Sequence, residues 1–294
     1  MTSAQCPVCQ EMLVQGIRPW HLICQSCNYE GSDLEPHIAG TPDDLRLDEK
    51  SRENALVTLR KRNFQRIATE ISRLVGKRND DSRPRLLDVG CAHGWFLQAC
   101  QRDFDITGIE PDDLIARAAS ERIGPIRHGF FPDVLLPEEK FDVITFNDVL
   151  EHIPDVESVL QSCNRHLSSG GWLLVNAPNR LGTIYRIAKL FARVGRPSSF
   201  DRMWQLGFPS PHVHYFDTNV MRKLGAAANF ELVESSSLPS VVAHGLYSRV
   251  RYSRKVSHLK ALSTAAIITL AIPLLSISPP DITIWYLRKR DGLR

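Results

Sequence analysis

The sequence predicts an α/β protein whose mainly parallel sheet is covered by helices on both faces, with a small N-terminal module beside it. From residue 81 onward, apolar strand-like segments alternate with helix-like segments, and such repeated βα order produces parallel strands. Residues 1–36 instead hold two C-x-x-C pairs and little apolar sequence. The longer strands are predicted at 85–90, 104–110, 140–148, 170–179 and 281–290, with shorter ones in PIRHG and FELVESS.

Three segments are predicted along the chain. Residues 1–40 form the cysteine module, residues 41–80 a helical lead-in, and residues 81–294 the main domain. The lead-in has apolar residues at helical spacings, which favours one or two helices. Within the main domain, helical insertions are predicted at 179–211 and 245–280.

The four N-terminal cysteines predict a metal site. Cys6 and Cys9 stand in CPVC, and Cys24 and Cys27 stand in CQSC. Two such turns can direct four thiolates at one tetrahedral Zn²⁺ ion, and four thiolates leave no open position for catalysis. We therefore expect a structural zinc site resembling a zinc ribbon. Two disulfides or a redox-active C-x-x-C pair are the alternatives, and both suit a reducing compartment poorly.

Composition and charge set limits on compartment and partners. The 294-residue chain has 43% hydrophobic residues, and its first residues show no apolar run after a basic region. We therefore expect a cytoplasmic protein without a secretory signal. Residues 180–294 contain 17 basic and 6 acidic residues, so the C-terminal part is the basic one. This asymmetry fits either an anionic partner or an unevenly charged solvated surface.

The stretch LLDVGCAHGWFL (86–97) predicts a strand, a glycine turn and a helix that together bind a nucleotide-like cofactor. Gly90 permits a tight turn, and Gly94 lies near the start of the helix. Glu110 ends the next predicted strand, twenty residues after Gly90. A carboxylate at that position can accept hydrogen bonds from both hydroxyls of a ribose.

The turn distinguishes between two cofactor classes. A dinucleotide site favours G-x-G-x-x-G, but Ala92 and Trp95 replace its second and third glycines. Asp88 would also repel a pyrophosphate, whereas a cationic sulfonium suits an acidic neighbourhood. These residues favour S-adenosylmethionine (SAM) over a dinucleotide, with Ala92 as a tolerable departure if its backbone angles are allowed.

The motifs resemble those of class I SAM-dependent methyltransferases, and in particular the small-molecule type with a D-V-L-E-H segment after the fourth strand. This resemblance implies a Rossmann-like sheet of seven strands in which the last strand is antiparallel. It covers roughly residues 50–290. The motifs are LLDVGCAHG, GIEPD, FDVITFNDVLEHIPDV, GGWLLVNAPN and HVHYFDTNVMRKLGAAANFELVE.

The resemblance also implies a set of SAM-binding residues. Glu110 would hold the ribose hydroxyls, and Asn147 and Asp148 would lie beside the methionine end. The full implied set is Asp88, Gly90, Cys91, Ala92, Gly94, Glu110, Pro111, Asn147 and Asp148.

Histidines are the candidate bases for the acceptor. Methyl transfer from a sulfonium needs a positioned acceptor and, for a hydroxyl, removal of its proton. His152 follows the fourth strand at the carboxyl edge of the sheet, where ligands bind in such folds. His214, with His212 beside it in SPHVHYF, is the second candidate. The alternative for each is a histidine that only packs under the acceptor loop.

Two basic and apolar segments suggest contact with an anionic membrane, at residues 180–196 and 249–280. In the first, Arg186, Lys189, Arg193 and Arg196 share a helical face, although an ordinary lid helix explains the pattern as well. The second has no charged residue from Ala261 to Pro280. Because residues 281–290 are needed as the closing strand, we expect buried helices or a shallow interfacial hairpin rather than a membrane span.

Three functions fit these observations. The favoured one is methylation of a hydroxyl, or of an amine, on a small or lipid-linked acceptor such as a surface-glycan sugar or a quinone-like lipid. The second is methylation of a ribosomal RNA base, with the cysteine module recognising RNA. It is disfavoured because the basic stretches lack aromatic platforms for unstacked bases. The third is a non-catalytic scaffold.

Overall fold

A seven-stranded sheet is the centre of the computed structural model, which describes residues 5–37, 43–76, 82–240, 246–251 and 257–291. The strand order is β10-β11-β8-β7-β4-β5-β6. Its strands are β4 (Arg85–Val89), β5 (Asp105–Glu110), β6 (Ile126–His128), β7 (Phe141–Asn147), β8 (Leu167–Pro178), β10 (Phe230–Leu238) and β11 (Ile282–Lys289).

The last strand of this sheet is antiparallel, as expected. β11 pairs antiparallel with both β8 and β10, while β4, β5, β6, β7 and β8 run parallel to one another. The central strands are buried on both faces, which explains why their sequences are continuous apolar runs. The predicted α/β fold class is confirmed.

Helices cover both faces of the sheet. Acidic N-caps begin three of them: Asp112, Asp155 and Asp217 each accept hydrogen bonds from backbone N–H groups of the first turn. The helices are α1 (Asp43–Val75), α2 (Trp95–Cys100), α3 (Asp113–Ile123), α4 (Val156–His166), α5 (Thr183–Arg193), α6 (Ser198–Met203), α7 (Thr218–Ala227), α8 (Leu246–Arg251) and α9 (His258–Ser276).

The lead-in is one 33-residue helix, α1, rather than two. Ile67 and Ile71 of α1 are fully buried against the sheet, and Phe64 packs edge-on against Phe96 of α2. The C-terminal half of α1 is therefore an integral layer of the main domain.

The cysteine module is continuous with the main domain through a second, four-stranded sheet. Strands β1 (Val14–Gln15), β2 (His21–Ile23) and β3 (Glu30–Ser32) form an antiparallel unit. Strand β9 (His214–Tyr215), from the predicted acceptor stretch, pairs antiparallel with β3. The main domain thus covers an edge of the module that would otherwise present unpaired backbone groups.

A buried carboxylate joins the module to the insertion that follows β8. Glu30 accepts hydrogen bonds from Lys189 Nζ at 2.6 Å and from the Tyr185 hydroxyl at 2.8 Å, both on α5. His21 Nε2 donates to the same carboxylate at 3.1 Å, since His21 Nδ1 accepts from Ile17. Around it, aromatic rings of the module and the insertion pack together: Trp20, Tyr185, Phe200, Trp204 and Tyr215.

The charge balance at Glu30 favours ionisation despite burial. Burial by itself raises the pKa of this carboxyl, but the contacts with His21, Lys189 and Tyr185 outweigh it and bring the pKa to about 2. Arg180 NH1 adds a fourth contact, at 3.4 Å. A charge so compensated stabilises the docked module, whereas the same carboxylate without its partners would be costly to bury.

Helix α9 departs from the expectation of a buried helix, because most of its large side chains are exposed. Among the described residues, α9 is the one helix that is long and apolar enough to cross a membrane. The mean hydropathy of His258–Leu275 is 1.6, and 11% of this window is buried. Residues 252–256 of the basic stretch before it lie outside the described residues.

We expect Glu30→Gln to lower the free energy of unfolding by about 2–4 kcal/mol at neutral pH, because it leaves buried basic groups unpaired. The pKa of Glu30 is about 2 in the folded protein against an ordinary 4.5, so its contribution is present at neutral pH. That contribution is lost as the pH falls from about 5 to about 2. Denaturant titrations across this range should show the loss in the wild type and a flatter profile in the variant. Glu138→Gln, at an exposed glutamate, is the control; an equal effect there would contradict the prediction.

Candidate active site

The glycine turn after β4 adopts left-handed backbone angles at three positions. Gly90 has φ 69° and Gly94 has φ 67°. A Cβ on Gly90 would lie 2.7 Å from Val149 Cγ2, and a Cβ on Gly94 would lie 2.1 Å from Ile123 Cδ1. Both positions therefore favour glycine for backbone conformation, and a side chain there would also displace Val149 or Ile123.

Ala92 is the third left-handed residue, with φ 45°, which is uncommon for a residue with a side chain. Its N–H donates to Glu110 Oε2 at 2.9 Å. The N–H of Asp112 donates to the other oxygen, Oε1, at 3.0 Å. The turn therefore orients the Glu110 carboxylate at the end of β5, where each oxygen retains a lone pair for a hydroxyl donor.

Burial raises the pKa of Glu110, while the two backbone donors lower it and nearby Asp112 raises it, with an upward net shift. The carboxyl therefore gains from any further hydrogen-bond donor that reaches it. A vicinal diol such as that of a ribose supplies two such donors.

Asp88 is the second buried acid of the candidate cofactor site, which lies at the carboxyl ends of β4, β5 and β7 and is called the crevice below. Its Oδ1 accepts from Thr145 Oγ1 at 2.7 Å and from Asn147 Nδ2 at 3.0 Å. Burial raises its pKa to about 7, and the charge of Glu110 adds to the rise. Asp88 is the penultimate residue of β4, whose neighbours are β5 and β7, so it lies where the strand order reverses. Ligands of open α/β sheets bind at this switch point.

The next two predicted residues lie on the same edge, at the end of β7 and directly after it. Asn147 Oδ1 is buried and has no hydrogen-bond partner among the described residues. Asp148 has φ 56° and donates its N–H to Asn176 O at 2.8 Å. Its carboxylate is 3.9 Å from Arg60 NH2 of α1. Arg60 was missed at the sequence level, because α1 was interpreted only as a lead-in.

Two further predicted residues are placed differently. The Cys91 side chain is buried, with Sγ 2.7 Å from the position a Cβ on Gly108 would take, so it packs under the turn. Burial and the nearby charges of Asp88 and Glu110 raise the pKa of this thiol. Pro111 O accepts from His128 Nε2 at 3.0 Å. Cys91 therefore contributes its backbone to the turn rather than its sulfur.

His152 lies on a short 3₁₀ turn, Leu150–His152, at the acceptor side of the crevice. Its Nδ1 donates to Pro211 O at 2.9 Å, which fixes the proton on Nδ1 and leaves the lone pair on Nε2. The ring lies edge-on to His212, with 4.8 Å between centroids. His152 therefore packs against the loop that contains Pro211 and His212, with its Nε2 4.0 Å from Glu151 Oε1.

Glu151 is a neighbouring acid that the sequence reasoning missed, although the motif D-V-L-E-H contains it. Its side chain is buried, and Oε2 has no hydrogen-bond partner among the described residues. Burial, followed by the charge of Asp148, raises its pKa well above the ordinary value. Ligating atoms of Glu151, His152 and His212 lie within 4.8 Å of one another, close enough for one ion.

Both ring nitrogens of His214, the second candidate base, form hydrogen bonds. Its Nε2 donates to Ile153 O at 2.8 Å, so Nδ1 accepts from the Tyr29 hydroxyl. Burial lowers its pKa to about 4, and the ring is neutral. This arrangement gives His214 a structural part, because it connects the cysteine module to the loop that carries His152, and it favours His152 as the base.

The four module cysteines converge on one point. Cys6 Sγ is 3.5 Å from Cys27 Sγ, and Cys9 Sγ is 3.4 Å from Cys24 Sγ. All four sulfurs lie within 4.8 Å of one another, and none is in a disulfide. Such a cluster has the donor type and spacing of a tetrahedral site for a soft divalent ion.

Comparisons with known proteins agree with this geometry. The family model described as "Methyltransferase domain" matches residues 59–235, which is more than half of the chain. The ubiquinone biosynthesis O-methyltransferase of Nitrosomonas europaea is 32% identical over 122 residues, covering 39% of this chain and 50% of that protein. The protein of the same name from Pseudomonas aeruginosa strain UCBPP-PA14 is 33% identical over 121 residues. The chain spans about half the length of these relatives.

Among solved structures, the cyclopropane synthase MmaA2 from Mycobacterium tuberculosis has a TM-score of 0.51 at 16% identity. The match covers 75% of this chain and 83% of that one, and it shows a shared fold. With the family match over residues 59–235 and the acidic crevice at the strand-order switch, the chain belongs to the methyltransferase-domain family and has the class I fold of SAM-dependent methyltransferases.

Proposed function

We propose that the protein transfers a methyl group from SAM to a hydroxyl of a quinone-like, lipid-linked acceptor. The pair of buried acids at the strand-order switch supports this most directly: Glu110 is oriented by backbone N–H groups, and Asp88 by Thr145 and Asn147. The names of the relatives support the acceptor class. The proposed place of action is the cytoplasm, at the inner face of the membrane.

The proposed binding arrangement follows from the crevice. Glu110 accepts hydrogen bonds from the ribose hydroxyls, and Asp88 and Asn147 face the cationic methionine end. SAM supplies a methyl group already activated on a sulfonium. The protein then needs only to hold the acceptor oxygen in line with the carbon–sulfur bond and exclude water from it.

His152 is the proposed base. Its Nε2 takes the hydroxyl proton as the acceptor oxygen forms its bond to the methyl carbon and the carbon–sulfur bond breaks. The products are S-adenosylhomocysteine, the methyl ether and a proton, which leaves the imidazolium to solvent. The hydrogen bond from Nδ1 to Pro211 O stabilises the imidazolium and keeps the ring oriented.

The cysteine module is proposed to bind one structural Zn²⁺ ion through Cys6, Cys9, Cys24 and Cys27. The convergent sulfurs support it, and four thiolates would leave no position for a reacting ligand. The ion would hold the module that carries Tyr29 and Glu30, and through them the acceptor side of the site.

Methylation of an RNA base is the second candidate. Lys189 and Arg180, part of the basic C-terminal half, are bound internally to Glu30, and Arg180 also to Asp217. Fewer cations therefore face outward than the sequence suggested. Retention of RNA that weakens steeply with salt would favour this candidate. If the folded, zinc-loaded protein does not bind SAM in calorimetry, the result would favour the non-catalytic scaffold and contradict both methyltransferase candidates.

For the cofactor turn, we expect Ala92→Gly to retain binding of S-adenosylhomocysteine, because the backbone N–H to Glu110 is kept and the left-handed angle becomes unstrained. Glu110→Gln should weaken binding by roughly tenfold, because one of the two acceptor oxygens for the diol becomes an amide donor. Isothermal calorimetry measures both. Loss of binding in Ala92→Gly, or full retention in Glu110→Gln, would show that the turn is misinterpreted.

For the base, we expect His152→Ala to lower kcat by about 100-fold or more while the affinity for SAM stays unchanged. His152→Asn is the matched control, because its amide can still donate to Pro211 O but cannot accept the proton. Turnover of hydroxylated quinone-like acceptors with radiolabelled SAM measures the effect. If His152→Asn recovers the activity, the residue only positions the loop.

For the metal, we expect about one zinc ion per purified chain and its loss in Cys24→Ser. Loss should lower the melting temperature, because the module has little core of its own. Cys163→Ala, a buried cysteine outside the cluster, should keep the metal. Elemental analysis and thermal melts measure this, and full zinc content in Cys24→Ser would contradict the site.

A further inference from the structure

Helix α9 has an unusual distribution of side chains around its axis. The side chains that face the protein are small or only partly covered: Ala261 and Ala265 are buried, and Ile268 and Ile272 are half-buried. The opposite face carries large apolar side chains, with Leu270 exposed to 82% and Ile277 to 83%. The exposed stripe is Leu259, Leu262, Ile267, Leu270, Leu274 and Ile277.

This is the reverse of a helix at the surface of a globular protein, whose outward face is polar. A contiguous apolar face of this length marks a surface that is covered by another apolar phase. The nineteen-residue helix would by length be a membrane-span candidate.

Both ends of α9 are held to the same body, so the helix lies along the protein. At its start, Ala261 is fully buried, and the Tyr247 hydroxyl of α8, a helix that lies against α1, bonds His258 Nδ1 at 2.8 Å. After its end, Pro279 O accepts from the N–H and hydroxyl of Thr183, and Asp281 Oδ1 accepts from Ile184 N–H at 2.7 Å. Strand β11 then enters the central sheet at Ile282. A crossing helix would separate these ends.

The junction with Thr183 leads into a second exposed apolar stripe, on α5. Ile187, Leu190, Phe191 and Val194 are exposed at helical spacing, while Tyr185, Ala188 and Ala192 pack inward. Arg186, Arg193 and Arg196 are exposed beside this stripe. Three of the four basic residues predicted to share one helical face are exposed, and the fourth, Lys189, instead bonds the buried Glu30.

The sequence that precedes and forms α9 carries charge of one sign. The sequence contains no acidic residue from Ser235 to Pro280, and residues 249–260 contain five Lys and Arg residues. An anionic lipid surface is complementary to such a segment, since basic groups beside an apolar face meet lipid headgroups while the apolar side chains enter the acyl boundary.

We propose that the outward faces of α9 and α5 form a membrane-docking surface, with α9 lying in the plane of an anionic bilayer rather than crossing it. The inference extends the proposed lipid-linked function, on which its biological meaning rests. Docking by this surface would hold the crevice at the membrane where such an acceptor resides.

The test is flotation of the purified full chain with vesicles of phosphatidylcholine alone and of phosphatidylcholine mixed with phosphatidylglycerol. We expect co-flotation with the mixed vesicles that weakens as salt is raised. Leu270→Glu should reduce it by about tenfold or more, and Leu190→Glu should reduce it as well. Leu136→Glu, 63% exposed in the loop between β6 and β7, is the matched control and should float normally.

Binding of S-adenosylhomocysteine and the melting temperature should be unchanged in all three variants, which separates docking from folding and from the proposed chemistry. Wild-type protein that does not float, or Leu270→Glu that floats normally, would overturn the proposal. A dimer that Leu270→Glu dissociates, without vesicle binding, would assign the face to a second copy of the chain. Flotation without methylation of quinone-like acceptors would contradict the proposed function alone.

Discussion

The buried carboxylate of Glu30 is the interaction on which the arrangement of the molecule depends. It belongs to the cysteine module, yet its partners Lys189 and Tyr185 belong to the insertion after β8. Because a buried charge without its partners is costly, these contacts favour the observed position of the module against the insertion. Tyr29, its neighbour in sequence, reaches His214 and thereby the loop of His152. Module, acceptor wall and candidate base are thus one connected structure.

The cofactor side depends on a different kind of constraint, which is backbone geometry. Left-handed angles at three alternate positions, Gly90, Ala92 and Gly94, turn the chain so that a backbone N–H orients Glu110. The Cys91 side chain beneath the turn is buried and packs against Gly108. The two sides meet at β7, where Asn147 bonds Asp88 and the chain continues directly into Glu151 and His152.

The central sheet could be predicted from sequence because its strands are buried on both faces and read as apolar runs between turn signals. The glycine turn and the acids after the strands were identified for the same reason, since their chemistry is local. The pairing of β3 with β9 could not be predicted from sequence, because strands of two and three residues are too short to show a periodic pattern. The inward turn of Lys189 depends on a distant carboxylate, and the exposure of α9 contradicts the usual relation between apolar sequence and burial.

The pairing of β3 with β9 also has a consequence for biosynthesis. Tyr29 and His214 are 185 residues apart in the chain. The module is the first part of the described chain to leave the ribosome, but its sheet cannot be completed until β9, well inside the main domain, has been translated. Such distant pairings form late and leave a strand edge open meanwhile. Early capture of a metal by the four cysteines would keep the nascent module compact during that interval.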